Sequence, residues 1–378
     1  MNALSPFKRI VDRVFHAFCR RVFRFSTEKT SDTILLVRTD GIGDLVYSAP
    51  FVRAMKGRYA GSRIVLCANS ESAELARAMP VFDEVIGFAR MQSRRNYFYR
   101  FNLLRSVRKA RPKTAIYMTF HREHVGDEIT LLSGALQTIA FSGNDECIHA
   151  SMRMRNNAEY SRILEVGDNT PERGRYALLS EVLGARVPDD GPPRVEFRFA
   201  GSRRAGSPRL IVNDESVRYA VLGPGGSAAI RRWPAENFSS LADVISREFD
   251  LEVVVSGNRE ERGTLLRVAG TMERKATVSS DLDILSATEL LAHSSLFVGN
   301  ESGLLHLAAT LGVPGVGILG GGHFNRYFPY GSVRIVHHPL DCYECNWKCK
   351  FPEPYCITEI TVDDVAQAVR AVMGELAG

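Results

Sequence analysis

The run Phe297-Val298-Gly299-Asn300-Glu301-Ser302-Gly303-Leu304-Leu305-His306-Leu307-Ala308-Ala309 takes the chain from an apolar strand into a small-residue helix through a Gly-Asn-Glu-Ser-Gly turn. A strand delivered this abruptly to a helix start is the repeating step of a doubly wound parallel sheet. The same step presents unpaired backbone N–H groups and a positive helix end to an anion. Asn300, Glu301, Ser302, Gly303 and His306 are therefore candidates to hold a phosphate together with hydroxyl groups.

The pattern extends in both directions. After the turn, Gly303–Leu311 reads as a helix and Gly315–Leu319 as a strand. Before it, Tyr219–Leu222 reads as a strand ahead of a Gly/Ser loop, and a helix starts at Ala235 with Pro234 near its first turn. Leu251–Val255 and a helix through Arg262–Val268 follow, and Ser286 and Glu289 have capping-box spacing. Thr361 and Asp364 have the spacing to start the last helix. The first half opens the same way: strand Ile34–Val37, helix about 44–56, strand Arg63–Cys67, and further on a strand at Thr114–Met118. Two successive Rossmann-like halves are the natural reading. Gly191-Pro192-Pro193 and the Gly/Ser/Arg stretch 201–208 read as surface connections. The expected organisation is an extension over 1–29, one domain over 30–200 and a second over 201–378.

The composition is that of an ordinary globular protein, and 378 residues suffice for two cores. No apolar run of about 18 residues is present, which argues against a spanning helix, and no signal peptide is evident. The net charge of +5 is carried entirely by residues 1–29, which hold seven basic and two acidic side chains. A general nucleic-acid binder would distribute that excess differently. In this tail Phe7, Ile10, Val11, Val14, Phe15, Phe18, Val22 and Phe25 recur at helical spacing. It suits a helix lying in an anionic membrane interface, or one packed on the body of the protein or on a second subunit.

Several side chains could carry chemistry. Arg38-Thr39-Asp40-Gly41-Ile42-Gly43-Asp44 joins the first strand to its helix, and lacks the third glycine of the dinucleotide fingerprint. Gly41 and Gly43 would let the backbone turn tightly and admit a ligand. Asp44 is placed to act as a general base or simply to cap the helix. Gly223-Pro224-Gly225-Gly226-Ser227 followed by Arg231-Arg232-Trp233-Pro234 suits a diphosphate, with Ser227 and Arg231 as contacts; a solvated surface loop is the alternative. Glu260 and Glu261 could reach ribose hydroxyls or remain solvated helix charges. Asp281-Leu282-Asp283 is read as a chance match to a metal motif. His121 could touch an acceptor or be ordinary loop polarity. Cys342, Cys345, Cys349 and Cys356 fall within fifteen residues, a spacing suited to structural zinc or iron, with free thiols or disulfides as competing readings.

Taken together, Arg38–Pro50, Gly223–Phe238 and Leu285–Gly322 resemble, in that order, three motifs of the heptosyltransferase family, the family-nine glycosyltransferases of bacterial lipopolysaccharide assembly. The resemblance implies a GT-B fold, with two Rossmann-like domains facing across a cleft. It implies a nucleotide sugar on the second domain and an acceptor on the first. It places the family's catalytic aspartate on Asp44, its phosphate contacts on Ser302 and Gly303, its motif histidine on His306 and its acidic sugar contact on Glu301. Arg231 stands where the family often has lysine, which keeps the charge but changes the hydrogen-bond geometry. The implied activity is inverting, metal-independent transfer of a sugar, heptose from ADP-heptose, to a lipopolysaccharide-core or similar lipid-linked glycan. The implied place is the cytoplasm, on the inner face of the inner membrane. Another nucleotide sugar, a protein or capsule-precursor acceptor, or a GT-B nucleotide-sugar epimerase are the alternatives.

Overall fold

The computed structural model describes residues 6–24, 31–186, 194–198, 217–327 and 331–377. Contacts divide the chain into two compact units, Met1–Leu45 with Phe51–Val187, and Val46–Pro50 with Pro188–Gly378. The expected boundary at 200/201 and the connections at 191–193 and 201–208 lie outside the described residues.

In the first unit, α1 (Pro6–Arg24) precedes β1 (Thr33–Arg38), α2 (Ile42–Tyr47), α3 (Ala49–Arg58), β2 (Arg63–Asn69), α4 (Ser70–Ala76) and β3 (Glu84–Phe88). Then come α5 (Arg90–Arg95), α6 (Tyr97–Lys109), β4 (Thr114–Tyr117), α7 (His124–Leu131), β5 (Gln137–Phe141), α8 (Ala150–Asn157), β6 (Arg162–Leu164) and α9 (Glu172–Leu183). The second unit contains β7 (Tyr219–Gly223), α10 (Ala235–Phe249), β8 (Glu252–Ser256), α11 (Arg262–Gly270), β9 (Thr277–Ser279) and α12 (Ile284–Ala292). It continues with β10 (Leu296–Asn300), α13 (Gly303–Leu311), β11 (Gly315–Leu319), β12 (Val333–His337), α14 (Tyr355–Thr358) and α15 (Val362–Ala377).

Each unit holds one all-parallel six-stranded sheet, ordered β3-β2-β1-β4-β5-β6 and β12-β11-β10-β7-β8-β9. Counted from the first strand of each unit, both are the 3-2-1-4-5-6 order of the Rossmann fold. The central strands β1, β7, β10 and β11 are buried along their whole length, as their unbroken apolar runs require. In such sheets ligands gather where the strand order reverses, at the carboxyl ends of β1 and β4 and of β7 and β10.

The expected helix over 44–56 is two helices. The chain breaks at Ser48, two residues before Pro50, which has no N–H to continue the helical ladder and is tolerated in the first turn of a new helix. The cap expected at Ser286 is instead Asp283, whose carboxylate accepts the Ser286 N–H at 2.7 Å. At the last helix, Thr361 and Asp364 do form a reciprocal cap.

Helix α1 docks on the first unit by a polar edge. Asp12, His16, Cys19 and Phe23 are buried. Asp12 and Glu128 both accept from Arg100, and Lys8 donates to the Arg94 carbonyl at 2.8 Å. Phe15 packs on Tyr97 and Phe23 on Phe101. The opposite edge is apolar and faces out: Phe7 is 75% exposed, Val14 65%, Phe18 54%, with Ile10 and Val22 in the same stripe. This reverses the usual orientation of an amphipathic surface helix. Phe25, Glu28 and Lys29 lie outside the described residues.

Candidate active site

In the second unit the glycine loop is braced from behind. Both Glu261 carboxylate oxygens accept backbone N–H groups, one from Gly226 at 2.8 Å and one from Asn258 at 2.9 Å. A β-carbon at Gly225 would overlap that carboxylate. Asn300 is equally committed: its Oδ1 accepts the Trp233 N–H at 3.0 Å, and its amide donates to the Pro224 and Gly225 carbonyls. Arg232 donates twice to the Gly226 carbonyl. Glu261 and Asn300 thus hold the loop in shape, and Glu260 is exposed beside Glu261. Ser227 is exposed on the loop.

Next to the loop, the end of β10 carries a charged cluster. Glu301 is 6% exposed, with Ser302 next as the N-cap of α13. The Ser302 side chain makes no capping bond, and the first-turn amides of α13 have no intrahelical acceptor. Burial works against charge on Glu301, yet His323, 3.7 Å away, together with His306 and Arg231, holds its carboxyl below the usual range. Burial likewise lowers the Arg231 pKa, against the pull of Glu301. His306 packs edge-on against Tyr327, with ring centroids 4.7 Å apart. Glu301 Oε2 and Arg231 Nε are buried with no hydrogen-bond partner among the described residues. An acceptor and a donor left this way beside a helix N-terminus fit a ligand carrying both hydroxyls and negative charge.

In the first unit the switch point carries two aspartates. Asp40 takes a bidentate bond from the buried Arg38 at 2.8 and 2.7 Å, and a third from the Thr119 hydroxyl at 2.9 Å. Arg38 also donates to the Tyr176 hydroxyl at 2.6 Å. Burial pushes the Asp40 pKa up, Arg38 pulls it down, and the nearby Asp44 charge pushes it up again. Asp44 sits in the first turn of α2, its Oδ2 3.3 Å from the Gly41 N–H. That is half of a capping box, at a distance too long for a strong bond. Gly41 is not in the left-handed region, a β-carbon there would make only ordinary contact, and Gly43 lies within α2. The expected tight glycine turn is therefore absent at these positions.

His121 places Nδ1 3.2 Å from Asn144 Oδ1 and 3.3 Å from Glu146 Oε2, bridging the ends of β4 and β5. The same unit holds a cavity of about 430 Å³ whose lining includes Lys8, Asp12, Arg94, Arg100, His124 and His149.

The four-cysteine segment packs on the Gly320-Gly321-Gly322 turn after β11. Side chains at those glycines would collide with Trp347, Tyr343 and Ile357. Cys342, Cys345, Cys349 and Cys356 are free thiols. Burial raises the Cys356 pKa first, and the other three thiols raise it further, so all four share a neighbourhood. As placed they do not form a ligand set: among the described residues no group of three or more His, Cys, Asp or Glu could hold a metal ion. Asp281 is paired with Arg259, and Asp283 caps α12.

The sequence reading missed His323, Trp347 and Asp40. His323 follows the glycine run that ends β11, and Asp40 sits two residues beyond Arg38, the spacing that lets one guanidinium grip it. Trp347 lies among the cysteines, with no local pattern that ties it to Arg231.

Residues 178–354 match the family model described as glycosyltransferase family 9 (heptosyltransferase). Lipooligosaccharide heptosyltransferase 2 of Campylobacter jejuni is 24% identical over 174 residues, covering 44% of this chain and 54% of that protein. The chain thus spans about half the length of the curated relatives it matches first. Among solved structures, a family 9 glycosyl transferase from Veillonella parvula superposes with a TM-score of 0.79 at 17% identity, over 92% of this chain and 99% of that one. Escherichia coli ADP-heptose lps heptosyltransferase II gives 0.68 at 19% identity, over 92% and 100%. The two-sheet α/β architecture is that of these GT-B-type structures.

Proposed function

Because this chain carries a glycosyltransferase family 9 domain over residues 178–354, we propose that it transfers a sugar from a nucleotide donor with inversion, without a catalytic metal ion. The observation that carries the reading is the buried Glu301 carboxylate, kept charged by His323, His306 and Arg231 at the N-terminus of α13. In this reading Ser302, Gly303, Ser227 and Arg231 take the diphosphate, and Glu301 and His306 take sugar hydroxyls. An acceptor hydroxyl attacks the anomeric carbon while Asp44 accepts its proton; the carbon–oxygen bond to the diphosphate breaks, and the nucleoside diphosphate leaves with the electron pair. Donors fixed at the helix end stabilise that growing charge. The mechanism requires Asp44 of the first unit and the donor on the second to meet at one carbon during turnover.

ADP-heptose is the donor of choice, because the relatives are heptosyltransferases and one is described by that nucleotide sugar. The acceptor is a lipid-linked glycan of the lipopolysaccharide-core type, with His121 on its side of the site. The outward apolar stripe of α1, flanked by Arg13, Arg20 and Arg21, supports a peripheral seat on an anionic membrane surface at the inner face of the inner membrane. Among the described residues no helix is long and apolar enough to cross a membrane. A structural metal on the four-cysteine segment would need the thiols to draw together; metal analysis of purified protein, with Cys345→Ser as control, tests for it.

The deciding experiment offers ADP-heptose, and ADP-, UDP- and GDP-hexoses, with extracted core oligosaccharides as acceptors. Transfer from ADP-heptose with inverted anomeric configuration is expected. Retention of configuration, or product from donor alone, would overturn the reading.

A further inference from the structure

Trp347 belongs to the four-cysteine segment, yet its ring lies in the pocket of Arg231 and Glu301. The Arg231 guanidinium sits 4.9 Å from the centre of the indole, within cation–π range. His323, the partner of Glu301, approaches the same ring edge-on at 6.0 Å. A side chain at Gly322 would collide with the indole, so the turn after β11 is shaped to admit it. The backbone that delivers Trp347 is held in an unusual form: Glu344, Asn346 and Trp347 all adopt left-handed φ, at 64°, 49° and 59°. Such geometry persists only where surroundings over-determine it. Here Glu344 and Asn346 donate N–H bonds to the carbonyls of Gly321 and Gly322 at 2.7 and 3.1 Å.

The indole Nε1 is buried and has no hydrogen-bond partner among the described residues. It is a donor only, and buried tryptophan N–H groups usually find an acceptor. Arg231 Nε, a second donor, is in the same condition beside this ring, as is Glu301 Oε2, an acceptor on the carboxylate that faces His323. Two unmatched donors and one unmatched acceptor in one linked cluster suit a glycosyl diphosphate: anionic oxygens for Trp347 and Arg231, a hydroxyl for Glu301.

We propose that the four-cysteine segment supplies Trp347 to the donor site, where its indole N–H bonds an anionic oxygen of the nucleotide sugar while its face fixes the Arg231 guanidinium. The proposal rests on the nucleotide-sugar reading above and adds a residue and a chain segment to it. The segment's function is then to build the donor site, whatever the state of its thiols.

The chain has two tryptophans, and Trp233 is buried with its indole bonded to the Ile360 carbonyl, so Trp347 can be followed by emission. The test titrates wild-type protein with ADP, and with UDP and GDP in parallel, reading tryptophan emission and calorimetric binding together. ADP should change the emission, and Trp347→Phe should abolish that change. That variant keeps a ring for Arg231 but loses the N–H, and should weaken ADP by about tenfold or more, the scale of a hydrogen bond to a charged group. Trp347→Ala should weaken it further. Wild-type binding of ADP with unchanged emission, or Trp347→Phe binding ADP within about twofold of wild type, overturns the role of Trp347 and leaves the donor reading standing. Failure of the wild type to bind any of the three nucleotides overturns both.

Discussion

Asn300 and Glu301 are adjacent at the end of β10 and do different work. The amide of Asn300 is committed to Trp233, Pro224 and Gly225, all within the protein. Asn300→Ala should therefore destabilise the second unit by about 3 kcal/mol, since buried backbone groups lose their partners. Urea unfolding measures this. Unchanged stability with lost ADP binding would mean that Asn300 contacts ligand after all. Asp44 is the converse case. It lies in the first turn of α2 beside the Gly41 N–H, and asparagine keeps its shape, so Asp44→Asn should leave folding and ADP affinity nearly intact while turnover falls at least about a hundredfold, the usual scale of a general base. A variant with near-normal turnover would reduce Asp44 to a helix cap.

Helix α1 shows what periodicity can and cannot tell. The spacing of Phe7, Ile10, Val14, Phe18 and Val22 made the helix legible, but an apolar stripe is ordinarily assumed to face the core. Here the core-facing edge is Asp12, His16, Cys19 and Phe23, with Asp12 and His16 paired to Arg100, Glu128 and Glu159, partners between 88 and 143 residues away in sequence that no local pattern reveals. Two predictions follow from that arrangement. Burial opposes charge on His16, but Glu128 at 3.7 Å and Glu159 at 3.6 Å outweigh it and raise its pKa from 6.5 to about 9. Because the folded value is the higher one, this stabilisation is complete below pH 6.5 and disappears as pH rises through 9. The thermal midpoint should fall across that window, and His16→Asn should flatten the fall; an equal slope in both proteins would remove His16 as its cause. On the outer edge, Phe7→Ser with Phe18→Ser should leave the midpoint unchanged, since both rings are exposed, and lower sedimentation with phosphatidylglycerol vesicles severalfold. Vesicle binding equal to wild type would dismiss the membrane role.

The two sheets were legible because each central strand is a short unbroken apolar run feeding a glycine-bearing turn, a signal contained within a few residues. The strand-to-helix turn at Glu301–Gly303 was legible for the same reason. His323 and Trp347 were not, because they reach Glu301 and Arg231 only through the fold of the 320–347 region, across at least 22 and 116 positions of sequence. Ligand binding should make that distinction measurable across the whole molecule. The second unit has its own core, centred on Trp233, Phe238, Leu296 and Val316, separate from the Leu35, Val65, Leu104 and Tyr117 core of the first. A nucleotide held by the second unit alone stabilises only the state that binds it, by about 2.7 kcal/mol at a hundredfold excess over Kd. Hydrogen exchange with and without ADP should therefore slow in peptides covering 223–233, 300–306 and 342–349, and stay unchanged over β1, β2 and β4. Equal slowing in both sets would show that ADP alone couples the two units, and the first unit would then have to be counted among the nucleotide's contacts.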